Sequence, residues 1–184
     1  MNVRMCLAAL TLAALVVSCG TSTDREVPQV ICGTRIDPAL TQPLVKNEKG
    51  FHEFTRVERS EAISAPCALL EGSDPVLEFR FSWEETEADL MYLALDAGTV
   101  SRITEPRTIN FTYKTIVGTD GAISTTPCKT NGGDYFTLTL QVPQIPLTDQ
   151  THRKDIEKFM RAYFPATLKT LGCGAHAAPH PSGS

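Results

Sequence analysis

Three stretches of the chain alternate apolar and polar residues with period two. In Val76-Leu77-Glu78-Phe79-Arg80-Phe81-Ser82-Trp83, residues Leu77, Phe79, Phe81 and Trp83 share one side, while Glu78, Arg80 and Ser82 take the other. That pattern predicts a half-buried strand. Gly72-Ser73-Asp74-Pro75 before it reads as a turn, which makes Cys67 to Glu71, just after Pro66, its hairpin partner. The alternation recurs at Ile109, Phe111, Tyr113, Thr115 and Val117, and again at Phe136, Leu138, Leu140 and Val142. Gly118-Thr119-Asp120-Gly121 and Lys129-Thr130-Asn131-Gly132-Gly133 are turn sequences on either side of a middle strand near Ala122 to Thr126. A three-stranded antiparallel meander is the economical reading. Pro127 lacks an N–H for the ladder, so it is expected to close the middle strand or lie on an edge.

The helical period appears once clearly. Ile156, Phe159, Met160, Tyr163 and Phe164 stand at i, i+3, i+4, i+7 and i+8, one apolar stripe at 3.6 residues per turn. Pro165 is expected to kink or end that helix, with Ala166 to Leu171 restarting as a short turn that returns Cys173 to the sheet. Residues 86–98 are ambiguous: Thr86 and Asp89 mimic a capping box and Gly98 a stop, yet Met91, Leu93 and Leu95 alternate as in a strand. A short helix is the reading adopted. From Cys32 to Lys49 the prolines Pro38 and Pro43 suggest an irregular segment pinned by Cys32. The expected fold is therefore α+β, an antiparallel sheet of about five strands packed on a C-terminal amphipathic helix. A β-sandwich with a C-terminal helix is the alternative.

The first residues have another pattern. Arg4 is followed by an apolar run from Met5 to Ser18, shorter than the ~20 residues a spanning helix needs. A basic start, a short apolar run and small residues at its end describe a secretory signal. Val16-Val17-Ser18-Cys19 resembles the lipobox of bacterial lipoproteins, in which aliphatic or small residues precede a lipidated cysteine. The resemblance implies that residues 1–18 are a signal peptide and that Cys19 carries a diacylglyceryl group as the first residue after cleavage. The best-matched lipoboxes have Leu and Ala or Gly where this chain has Val16 and Ser18. Residues 19–30 then form the lipidated N-terminus and a tether, 31–173 one globular domain, and 174–184 a disordered tail of Gly, Ala, His, Pro and Ser.

Export changes the meaning of the cysteines. With Cys6 in the signal and Cys19 lipidated, Cys32, Cys67, Cys128 and Cys173 remain, and four cysteines in an exported domain read as two disulfides. Three pairings are open, and sequence alone does not separate them. The nearest neighbours along the chain, Cys32 with Cys67 and Cys128 with Cys173, are the pairing adopted. Zinc ranks below disulfides because no C-x-x-C pair occurs. A net charge of −4 lacks the basic footprint of a nucleic-acid binder.

Candidate chemistry is sparse. No G-x-S-x-G elbow is present, and His52-Glu53 begins like a zincin motif but has Arg56 where the second His belongs. His176 and His180 have ligand spacing in a tail that will not hold a helix. Glu84 to Asp89 concentrates four carboxylates, lacks a calcium loop, and is read as serving the dipole of a helix N-terminus. Neither a cofactor nor a metal is predicted. Lys154, Lys158 and Arg161 form a basic row opposite the apolar stripe, a possible contact with anionic headgroups. Glu157 before Arg161 and Asp155 before Lys158 have ion-pair spacing, so an internally paired, solvated face is favoured. Phe79, Trp83, Tyr113, Tyr135 and Phe136 are candidates for a ligand groove. All but Tyr135, which falls opposite Phe136, are expected in the core.

The segments Thr125-Thr126-Pro127-Cys128, Asp134 to Leu140 and Phe159 to Leu168 resemble those of small actinobacterial lipoproteins, with no activity attached to the resemblance. It implies an extracytoplasmic protein held on a cell membrane by its lipid. Two classes follow: a non-enzymatic module that binds a ligand or envelope partner, which is favoured, and a hydrolase whose polar residues meet only in three dimensions.

Overall fold

Leu77, Phe79, Phe81 and Trp83 are buried along one side of a single long strand, Asp74–Glu84, while Glu78, Arg80 and Ser82 alternate with them on the other. The structure is a computed structural model that describes residues 27–45, 50–55, 64–96 and 102–173. The signal segment with Cys19, and also Arg56, Gly98, His176 and His180, lie outside the described residues.

The chain begins with a two-stranded ribbon, β1 (Val30–Ile31) and β2 (Thr34–Arg35). Helix α1 (Pro38–Thr41) follows, with Asp37 accepting from the Ala39 N–H as N-cap and Pro38 at the first helical position, where its missing N–H costs nothing. A 3₁₀ turn, Gln42–Leu44, contains Pro43. The segment expected to be irregular is thus built of short regular elements. Strands β3 (Phe51–Thr55), β4 (Ser64–Glu71) and β5 (Asp74–Glu84) form an antiparallel meander. Strand β4 starts earlier than expected and carries Pro66 opposite Arg80. The β4–β5 turn narrows to Gly72-Ser73, since Asp74 and Pro75 already pair with Glu71 and Leu70; Gly72 has φ 63°, the left-handed value that glycine supplies at a two-residue hairpin.

Helix α2 (Leu90–Leu95) lies within the segment read as helical, but its N-cap is Asp89, whose carboxylate accepts the Met91 and Tyr92 N–H groups, not Thr86. Strands β6 (Arg107–Thr108), β7 (Lys114–Val117), β8 (Gly121–Thr130) and β9 (Gly133–Gln141) complete a seven-stranded antiparallel sheet in the order β3-β4-β5-β9-β8-β7-β6. The sheet has seven strands instead of about five. One reason is that Ile109 to Val117 is not one strand. The chain doubles back, pairing Arg107 with Val117 and Thr108 with Ile116. Phe111 and Tyr113 sit in the connector, where Tyr113 meets Phe164 edge to face at 5.0 Å. Pro127 lies inside β8 and does not close it. There β8 has outrun β7, whose last partner is Thr125, so the prolyl nitrogen faces no strand on that side and a register shift follows.

Helix α3 (Arg153–Thr170) covers one face of the sheet. Its whole predicted stripe, Ile156, Phe159, Met160, Tyr163 and Phe164, is fully buried against Phe79, Phe81 and Phe136. Tyr163 stacks on Phe79 at 4.8 Å, and its hydroxyl donates to the Ile31 carbonyl at 2.9 Å, which docks the ribbon on the helix. The helix does not end at Pro165. Thr167 and Leu168 are buried beyond it, and Thr167 meets Thr34 of the ribbon at 3.1 Å, so packing on both sides outweighs the one bond Pro165 cannot make. Two disulfides, Cys32–Cys67 and Cys128–Cys173, join nearest neighbours along the chain, with Cα atoms 6.0 and 5.2 Å apart. They fasten the ribbon to β4 and the end of α3 to β8.

Candidate ligand groove on the open sheet face

Residues opposite one another in adjacent strands share a face of the sheet. Phe79, Phe81, Trp83, Phe136, Leu138 and Leu140 all point towards α3. The other face divides in two. Over β7 and β8 it is covered by α2, with Leu90, Ala94, Ile103, Ile116 and Ile123 as a second, smaller core. Over β3, β4, β5 and β9 no element among the described residues covers it, and there the structure has a groove of about 520 Å³.

The groove follows from side-chain size along the strands. One cross-strand row reads Phe54, Ala68, Glu78, Gln141, and the next Pro66, Arg80, Thr139. Strand β4 contributes only the short Ala68 and Pro66, so a trough forms between Phe54 on one bank and the charged pair on the other. Phe54 is 48% exposed on that bank. Arg80 and Glu78 are half-buried. Among the described residues neither makes an ion pair or a side-chain hydrogen bond. Gln141, on the groove's edge, donates its amide to the Arg102 carbonyl at 3.0 Å.

The residues singled out from sequence are distributed elsewhere. Phe79, Trp83 and Phe136 are core, Tyr113 is partly buried against it, and Tyr135 lies on the open face beyond the groove. His52 is exposed on β3. The acidic run disperses: Glu84 ends β5, Glu87 pairs with Lys114 at 3.4 Å and Asp89 caps α2, whose first turn holds no acidic residue. The dipole reading therefore narrows to the single cap. In the basic row Lys158 pairs with Asp155 at 3.5 Å. Arg161 binds Glu157 and the Asn110 carbonyl, each at 2.7 Å, and lies over the Phe111 ring at 5.0 Å. Lys154 is exposed, with no pair among the described residues.

Among the described residues sulfur and carboxylate converge once. The Sγ atoms of Cys32 and Cys67 and a Glu53 oxygen lie within 4.8 Å of one another. The sulfurs are bonded together, which removes the thiolates a metal requires, and the Glu53 carboxylate accepts the Cys32 N–H at 2.7 Å. Glu53 thus caps a backbone amide beside the bridge. Among the described residues the nearest approach to a catalytic arrangement is His152 with its Nε2 3.6 Å from Asp149. The neighbouring Thr151 hydroxyl donates to Asp149, not to His152, and the other ring nitrogen is buried. The Thr151 hydroxyl, then its N–H, hold the Asp149 carboxyl below its ordinary pKa, with His152 adding to this and burial opposing it. The cluster is a turn lock ahead of α3. On α2, Asp96 raises the Tyr92 phenol by accepting its hydrogen bond and by its charge.

Sequence reasoning missed the groove because its residues, Ala68, Pro66, Glu78 and Arg80, read as the solvent side of strands. The only available signal was Phe54 standing where alternation with Phe51 and Glu53 gives no apolar side. Among the described residues no helix is long and apolar enough to cross a membrane. No protein-family model, curated protein or solved structure matches the chain.

Proposed function

We propose that the chain is a lipid-anchored extracytoplasmic binding module, tethered through Cys19, whose ligand face is the open half of the sheet. The observation that carries this reading is the asymmetry of that sheet. One face is packed by α3 together with the N-terminal ribbon and α1, and among the described residues no helix covers the half of the other face around Glu78, Arg80 and Phe54. The polar clusters elsewhere already have structural work, so binding is favoured over hydrolysis.

The address rests on the lipobox-like Val16 to Cys19 and is supported by two disulfides, which persist in oxidising spaces. Val27 is already buried in the core, so only seven residues, 20–26, lie between it and Cys19, a reach of about 28 Å over eight extended steps. The domain is thereby held at the outer face of the cell membrane, with the lipid as the anchor and not the α3 row, two of whose three cations are paired within the helix. Two measurements test the reading. Radioactive fatty acid fed to cells is expected to label the wild type and not Cys19→Ala; label on both, or on neither, overturns the anchor. A small-molecule fraction of the envelope is expected to raise the melting temperature of the wild type and not of Ala68→Arg, which fills the trough. An equal rise in both would place binding away from this face.

A further inference from the structure

We propose that the groove recognises a compound with a single carboxylate and an aromatic or apolar body, the carboxylate on Arg80 and the body against Phe54. This rests on the reading of the open face as a ligand site and adds the chemistry of what it takes.

Arg80 is the starting point. Arg153 and Arg161 each hold a carboxylate and a backbone carbonyl, so the fold saturates a guanidinium where it uses one for structure. Arg80, half-buried on the bank of the groove across from Phe54, has no such partner among the described residues. Its five N–H donors form a rigid fork that matches two coplanar oxygens, and removing part of its hydration makes an unfilled fork unfavourable. The complementary group is a planar anion.

Glu78 narrows the choice. It lies two residues from Arg80 on the same face of β5, about 6.6 Å along the strand. Its charge leaves the lining neutral overall, so a multiply charged group such as phosphate gains from Arg80 and loses to Glu78, whereas a single carboxylate held by the fork is kept at a distance. The Glu78 oxygens are acceptors, suited to an N–H or O–H close to the ligand's carboxylate. Phe54 stands opposite Glu78 two strands away, about 10 Å across the trough and so about 12 Å from Arg80 on the diagonal, with only Ala68 and Pro66 between. That span fits an acylated aromatic amino acid: carboxylate at one end, amide N–H beside it, ring at the other.

N-Acetylphenylalanine is the probe. Titrated into the purified, isotopically labelled chain, it is expected to move amide signals of β4 and β5 in a saturable way. Its carboxamide, which keeps the ring and loses the charge, is expected to bind at least about tenfold more weakly, as is the acid to Arg80→Gln. Arg80→Lys keeps the charge without the fork and should fall between. Inorganic phosphate should move the signals only in Glu78→Gln. Both positions are on the open face, and an unchanged melting temperature checks that the variants fold. Equal binding of acid and carboxamide, equal binding by Arg80→Gln, or no saturable shift up to roughly 50 mM overturns the proposal. If the probe fails while Ala68→Arg still abolishes the response to the envelope fraction, the face binds a ligand of another class; if Ala68→Arg has no effect either, the ligand-face reading falls too.

Discussion

A single guanidinium holds the start of α3. Arg153 donates from Nη1 to the carbonyls of Glu105 and Val117, both at 2.9 Å, lies 3.5 Å from the Glu105 carboxylate, and is only 17% exposed in its side chain. Arg153→Gln leaves these acceptors without a charged donor, and chemical denaturation should show a loss of about 2 kcal/mol. Arg107→Gln serves as the contrast. Its contact with Glu105 is 4.0 Å long and exposed, so its change should stay within about 0.5 kcal/mol. Trp83 sets two terms against each other. Its ring packs on Phe136 at 5.3 Å, yet its buried indole N–H has no hydrogen-bond partner among the described residues. Trp83→Phe removes packing volume at a cost of about 1 kcal/mol and removes an unsatisfied donor worth about the same, so its urea midpoint should match that of the wild type. A carboxyl whose folded pKa is lowered contributes stability that is present above the unfolded value and lost as pH falls through the folded one. For Asp149, lowered chiefly by the Thr151 hydroxyl, the melting temperature should exceed that of Asp149→Asn at pH 5 to 7 and the gap should close below an ordinary Asp value of about 3.9. A gap that persists at pH 2 would show that the Thr151 bonds do not depend on the charge.

At the scale of elements, α3 carries a residue its own geometry disfavours. Pro165 leaves the Arg161 carbonyl without the i+4 donor that any other residue would supply, and the helix continues because Phe164, Thr167 and Leu168 are buried around it. Pro165→Ala restores the bond at a half-buried site while loosening the unfolded chain. The helical gain of ~3 kcal/mol, reduced by ~1 for that freedom, predicts a net stabilisation of about 2 kcal/mol and a higher melting temperature. The same residue marks what the sequence made legible. The stripe from Ile156 to Phe164 and the alternation from Leu77 to Trp83 identify buried faces, because each repeats one period long enough to exclude the other. Neither says that helix or strand will continue through a proline, since the burial that sustains Pro165 and the unpaired flank that tolerates Pro127 exist only after folding. Ile109 to Val117 shows the converse. Five apolar or β-prone residues at alternate positions suggested one strand, and the chain turns in their midst because Phe111 and Tyr113 find rings and Arg161 to pack on. The groove was illegible for the plainest reason: it is the product of short side chains on β4 facing long ones on β3 and β5, a relation between strands that no single stretch of sequence contains.

For the molecule as a whole, the two disulfides close loops of 35 and 45 residues, and the chain-entropy model assigns each about 4 kcal/mol through the unfolded state. The folded-state roles differ. Cys128–Cys173 pins the end of an 18-residue helix that seven buried residues already hold, so its loss should act almost wholly on the unfolded chain. Cys32–Cys67 pins a ribbon of two-residue strands, too short to stand alone, which buries Ile31 and supplies the carbonyl for Tyr163. The serine pairs at these positions should therefore separate by hydrogen exchange more than by melting. With Cys128 and Cys173 replaced, protection should fall everywhere by one increment. With Cys32 and Cys67 replaced, the Ile36 amide, bonded to the Gln29 carbonyl at 2.9 Å, should exchange ahead of the helix. If Cys19 is the lipid anchor proposed above, opening of the ribbon would free the part of the domain nearest the membrane first. Uniform exchange in both pairs would mean that the ribbon is held by its contacts with α3, and that the bridge beside Glu53 does no more than shorten the unfolded chain.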